Sequence, residues 1–227
     1  MTESFSLWSY GLWLANAVLE LVILRAWFDR RSLPHLTLLP TFVGFLLFSD
    51  IGCYAIRVTG AFGPYGYAYG YWWSQVMESL LRSLLAIQIL SHVLPTHKHK
   101  VTLWSCYAAF WIVAVFALGL PTDVTRVFIR MIVVADIIGG LLIGAAILIP
   151  SIHWPTGYTT AGFGLFLSFA SDIGLYLLRF NTGTKYTTEL RVFLPLASIL
   201  ALLMFFSATM AGQRQEGELS RGHAAAI

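Results

Sequence analysis

Two nine-residue stretches repeat one pattern of chemically capable side chains. Ser49-Asp50-Ile51-Gly52-Cys53-Tyr54-Ala55-Ile56-Arg57 and Ser171-Asp172-Ile173-Gly174-Leu175-Tyr176-Leu177-Leu178-Arg179 both read S-D-I-G-x-Y-x-x-R. At helical spacing Asp50, Tyr54 and Arg57 fall on one stripe, and Asp172, Tyr176 and Arg179 on another. Further charges stand at the same i,i+4 interval: Glu78 with Arg82, and Arg126 with Arg130, followed by Asp136. Carboxylates such as Asp50, Glu78, Asp136 and Asp172 bind polar solutes or carry protons. The guanidinium groups of Arg57, Arg82, Arg126, Arg130 and Arg179 clamp carboxylates or phosphates. Tyr54 and Tyr176 donate hydrogen bonds to either. These eleven residues are the candidate ligand-binding set. No serine or cysteine has a convincing base partner, and no catalytic or metal residue is assigned.

The elements that must position them are apolar. The chain has 227 residues, 58% hydrophobic and 11% charged, with a mean hydropathy of +0.74. Soluble domains carry about 25% charged residues, so an ordinary cytosolic fold is excluded. Seven segments approach the roughly 20 apolar residues that a membrane crossing needs, at about 8–27, 38–58, 71–94, 101–120, 124–149, 158–180 and 188–212. The fold class expected is all-α: a single polytopic domain over 1–227 with seven transmembrane helices. Turn residues mark the breaks: Pro34, Gly63-Pro64, Pro95, Pro121, Pro150 with Pro155, and Asn181-Thr182-Gly183. Pro195 inside the seventh segment should kink it. The tail over 213–227 is expected to fray. The connections leave no room for a separate soluble domain.

In an ionisable-poor setting each buried charge is a candidate for function, because charge at membrane depth is expensive. Pairing that merely pins helices together is the competing account of any one pair. The nine charges of the set exceed what pinning requires, and most are expected in the outer half of the bundle, with Glu20 of the first segment nearer the inner side. Small residues Ala161, Gly164 and Ser168 precede Asp172 at helical spacing and point that stripe toward neighbouring helices. Gly140-x-x-x-Gly144 is a second close-packing signal.

The stretches around Asp50 and Asp172 lie 122 residues apart, in the second and sixth segments. Leu14-Ala15-Asn16-Ala17-Val18 against Val134-Ala135-Asp136-Ile137-Ile138 adds weak support for a duplication. The implied plan is three helices (about 8–94), a linker helix (about 101–120), then three more (about 124–212), a parallel 3+1+3 repeat. Transporters built from parallel repeats place their substrate site at the repeat interface. In span count and topology the chain resembles the superfamily that unites SWEET-type sugar transporters, PQ-loop transporters and microbial rhodopsins. It lacks their motifs. No Pro-Gln pair occurs, and Lys98, Lys100 and Lys185, the only lysines, are expected in loops, so retinal attachment in the seventh helix is not expected. The aromatic run before the third segment and Gly162-Phe163-Gly164 also resemble uncharacterised bacterial seven-helix proteins, a likeness without a function attached.

Other motifs are set aside. His92, His97 and His99 resemble a histidine box of membrane di-iron enzymes, but six histidines are too few. Glu78-x3-Arg82 resembles one motif of the CPBP intramembrane proteases, without its doubled glutamate. Cys53 and Cys106 read as small buried hydrophobes. Dispersed Lys and Arg and a net charge of +3 argue against nucleic acid. No cofactor is expected.

Arg30, Arg31, Lys98, Lys100, Arg214 and Arg221 bias one set of loops toward the cytoplasm. The expectation is a bacterial-type inner-membrane protein, N-terminus outside and C-terminus inside. The 60–73 stretch, rich in Gly, Tyr and Trp, is expected as an interfacial connection: an aromatic belt or a lid. The leading function is binding, with translocation, of a small polar or anionic solute between the repeats. The alternatives are a receptor module signalling to a separate protein at the cytoplasmic face, and a non-catalytic subunit of a larger membrane complex. None of these is an enzyme. The lipid bilayer is the expected surrounding partner.

Overall fold

The computed structural model describes residues 7–30, 36–60, 63–94, 97–118, 124–149, 152, 154–182 and 187–224. These form seven helices: α1 (Leu7–Arg30), α2 (Leu38–Thr59), α3 (Gly63–Val93), α4 (His97–Leu118), α5 (Val124–Leu148), α6 (Thr156–Thr182) and α7 (Thr187–Ala224). Six of them, all but α4, are long and apolar enough to cross a membrane. In lipid a backbone must satisfy its own hydrogen bonds, which favours unbroken helices. The chain is a multi-pass membrane protein. Side chains of α4 are described over 98–112 only, a stretch shorter than a crossing.

Helices α1, α2, α3, α5, α6 and α7 pack in that order into a closed ring, with α7 returning against α1. A direct α3–α6 contact spans the interior, and α4 lies outside against α3 and α5. Leu85, Ile89, Ile143, Leu165, Phe169 and Leu202 fill the centre and are fully buried. Phe48, Leu148 and Phe193 point outward, more than 70% exposed, as a lipid-facing surface requires.

Two helix ends show how the ring is fastened. Thr37 precedes α2 without a side-chain cap. The Gln88 carbonyl on α3 instead accepts from the Leu38 backbone N–H at 3.0 Å, and its amide donates to Thr37 Oγ1 at 3.1 Å. One of the orphan N–H groups of the helix end is thus met from a neighbour. At the other end Gly60 adopts φ +63° and Gly63 φ +65°, the left-handed region glycine tolerates best.

Several expectations need correction. The aromatic stretch is mostly not a connection, because α3 starts at Gly63, eight residues earlier than expected. Its glycines read as turn residues, yet glycine only weakens a helix, by about 1 kcal/mol relative to alanine. Lys98 and Lys100 lie in the first turn of α4 rather than in a loop. The tail continues α7 through Ala224, with Pro195 inside the helix. Cys106 is exposed on α4 and Cys53 half-buried. Lys185, Arg31, Pro34, Pro95, Pro121 and Pro150 lie outside the described residues.

Candidate functional site: a charged centre half-way along the bundle

The centre is built on α3. Arg82, 3% exposed, bonds through Nη2 to Glu78 one turn before it and through Nη1 to Asp172 of α6. Asp136 of α5 is fully buried, with Oδ1 3.7 Å from Arg82 Nη1. Three carboxylates on three helices thus converge on one guanidinium, whose fork of donors suits more than one acceptor. Gln75 donates to the other oxygen of Glu78 at 3.2 Å. Arg82 Nε and both oxygens of Asp136 have no hydrogen-bond partner. The Ser79 hydroxyl lies near Asp136.

Packing holds this centre in place. The Arg82 guanidinium lies 5.6 Å from the ring centroid of Phe169, a cation–π arrangement. Phe169 is fully buried and occupies the space where a Cβ on Gly139 would lie, 2.2 Å from its Cζ. Gly140 and Gly144 face α6 as well: added Cβ atoms there would lie 3.3 Å from Phe169 Cβ and 3.0 Å from Phe166 Cε2. Gly164 stands likewise between α6 and α7, where a Cβ would meet the Ala201 carbonyl oxygen at 3.2 Å. Below the charges, Ser83 and Tyr107 share a buried hydrogen bond of 2.7 Å that ties α4 to α3.

A second group of polar side chains faces the same interior from α1 and α2. Glu20 is 2% exposed, and its Oε2 has no partner. Asn16, one turn earlier, is 8% exposed with an unpartnered Oδ1. Glu20 lies within electrostatic reach of Asp50 and Glu78, and Asp50 of Glu78. Glu20, Asp50, Glu78 and Asp136 all stand within two residues of the middle of their apolar stretches, Tyr10–Asp29, Leu38–Thr59, Gly66–Val93 and Val127–Leu148. These charges therefore lie close to the middle of their apolar stretches, with Asp172 nearer the C-terminal end of Gly157–Leu178.

The expected set divides. Glu78, Arg82, Asp136 and Asp172 come together, and Asp50 stands beside them. Tyr176 lies close to Asp172 and Asp136. It also lines an apolar groove of about 450 Å³ with Trp72, Val133, Ile137, Ile173 and Leu177. The groove opens on the outer surface, where Ile137 and Leu177 are exposed. Tyr54 is 41% exposed and stacks on Trp13 at 5.0 Å. Arg57 is exposed, 6.0 Å from the Tyr67 ring centroid. Arg130 is exposed and stands apart from the Arg82 ion pairs. The side chains of Arg126 and Arg179 lie outside the described residues. The ion pairs that Arg82 makes among the described residues are with Glu78, Asp136 and Asp172 rather than with a second arginine-bound anion. Asn16 and Glu20 were the residues missing from the expected set. Their i,i+4 spacing on one face of the first segment was the available signal.

No family model, curated protein or solved structure matches the chain.

Proposed function

We propose that the protein binds a small polar solute at this mid-bundle centre and carries it across a bacterial-type inner membrane, with its N-terminus outside. The observation that carries the reading is Arg82 held by Glu78, Asp136 and Asp172 half-way along the helices. Ionisable groups at such depth mark solute or ion pathways more often than they mark scaffolding. Five carboxylates and one guanidinium meet there among the described residues, counting Glu20 and Asp50. That balance favours a cationic or hydrogen-bond-donating solute over the anionic one. A 3+1+3 duplication fits the helix order: exchanging α1–α3 with α5–α7 leaves every neighbour relation around the ring unchanged, and α4 stays outside. The subunit reading draws on one observation, that Arg82 is already ion-paired with the protein's own acids.

Uptake into proteoliposomes of radiolabelled agmatine, glucose and glutamate, one probe for each charge class, tests the proposal. Agmatine or glucose should enter faster than in protein-free vesicles, and Asp50→Asn or Asp172→Asn should lower that rate tenfold or more in well-folded protein. No uptake above protein-free vesicles for any probe, or equal rates in parent and both variants, overturns it.

A further inference from the structure

The two S-D-I-G-x-Y-x-x-R copies meet different surroundings. Asp172 reaches the Arg82 guanidinium. Asp50 has no cationic partner among the described residues; the groups that act on it and on Glu20 are acids. Register explains what lies around it. Trp13 stacks on Tyr54, while Leu24 is the side chain nearest Gly44, so α1 and α2 run in opposite directions. Asn16 is then level with the turn that carries Asp50, and Glu20 lies one turn further along. On the other side Cys53 lies 3.9 Å from Ser74, and Ile56 approaches Gly70. This brings Asp50 level with Glu78 of α3.

The buried atoms left without a partner in this space are both hydrogen-bond acceptors. Asn16 Oδ1 and Glu20 Oε2 are buried without partners, and the Asp50 and Glu78 carboxyl groups add further acceptor oxygens beside them. The single guanidinium nearby, Arg82, is engaged by three acids. Burying acceptors and charge without donors is costly. A group that brings several N–H donors and positive charge would complete the arrangement. Among the described residues no three His, Cys, Asp or Glu side chains converge closely enough for a metal ion, which favours a broader cation. The stacked Trp13 and Tyr54 stand one turn beyond Asn16 and Asp50, an aromatic wall of the kind that organic cations favour.

We infer that Asn16, Glu20 and Asp50, walled by Trp13 and Tyr54, form a binding site for a guanidinium or primary ammonium group of a small solute. The site receives from outside what Arg82 supplies to Asp172 from within. The inference rests on the proposed solute-binding centre and names the solute's class.

Methylguanidinium chloride is the probe, titrated at millimolar concentration into the full-length protein in detergent micelles, with sodium chloride at matched ionic strength as control. The thermal unfolding midpoint should rise saturably with methylguanidinium and not with sodium. Glu20→Gln and Asp50→Asn should each raise the half-saturating concentration at least tenfold. Asp29→Asn, which removes an exposed acid of the same helix, should leave it unchanged. Asp50 is half-buried, so its variant keeps the test decisive where Glu20→Gln does not fold. No saturable rise in the parent, an equal rise with sodium, or unchanged half-saturation in Asp50→Asn overturns the site. Methylguanidinium binding without flux in vesicles removes the transport reading and leaves the site. Flux of glucose alone, without methylguanidinium binding, removes the site and leaves the transport reading.

Discussion

At the residue scale, the coupling of packing to charge is the property most open to test. Phe169 is pressed between Gly139 on one side and Arg82 on the other. A methyl group at position 139 has no room unless the ring moves toward the guanidinium. Overpacking a close-fitted site costs roughly 1–3 kcal/mol. Gly139→Ala is therefore expected to lower stability by about that amount in a micellar unfolding assay and to perturb uptake as well. Gly174→Ala, with nothing within 4 Å of its added Cβ, should be neutral or slightly stabilising, because alanine is the better helix former. Asp136 offers a second test. Its removal as Asp136→Asn leaves the shape and takes away one of three counter-charges from Arg82. Uptake should fall in that variant while the protein still elutes as a single species, and an unchanged rate would show that the pair serves packing alone.

At the element scale, the seven helices were legible because each is apolar along most of a crossing length, and that signal survives any error in side-chain direction. The ends were less so. Gly66 and Gly70 read as part of a connection, yet they sit inside α3, whose first turns are rich in tyrosine, while Gly63 at its start keeps the φ of a turn. The charges were legible as an inventory for the same reason that they are costly: few occur at depth. Which of them meet was not. Periodicity gives the face of one helix but not the neighbour that faces it. Arg82 and Arg130 look alike in sequence, and only packing turns one inward and leaves the other exposed. Asn16 and Glu20 were obscured because α1 is apolar around most of its girth, and their importance depends on the register with α2. The α2 start is a local case of the same dependence. Its first N–H is met by Gln88, fifty residues away. Gln88→Ala should cost about 1 kcal/mol, as the loss of a helix cap or one hydrogen bond does, measured as a lower unfolding midpoint with unchanged uptake.

At the scale of the whole molecule, two properties remain to be tied to experiment: which way the ring faces, and what it is arranged around. Thr59 and Lys98 are exposed at helix ends expected on opposite sides of the membrane. With Cys53 and Cys106 replaced by serine, Thr59→Cys should react in intact cells with a membrane-impermeant thiol reagent, and Lys98→Cys only after the cells are opened. The reverse pattern would invert the orientation and turn every helix around. The central claim is that six helices close around Arg82 and the acids that reach it from α3, α5 and α6. A double-mutant cycle between Arg82→Met and Asp172→Asn, read as unfolding free energy in micelles, measures it most directly. Removing one partner of a buried pair is expected to cost about 3–5 kcal/mol. The account predicts that Arg82→Met falls in that range and that the two changes together cost at least about 1 kcal/mol less than their sum, as contacting residues do. Additive losses within about 0.5 kcal/mol, the behaviour of distant and independent sites, would contradict it.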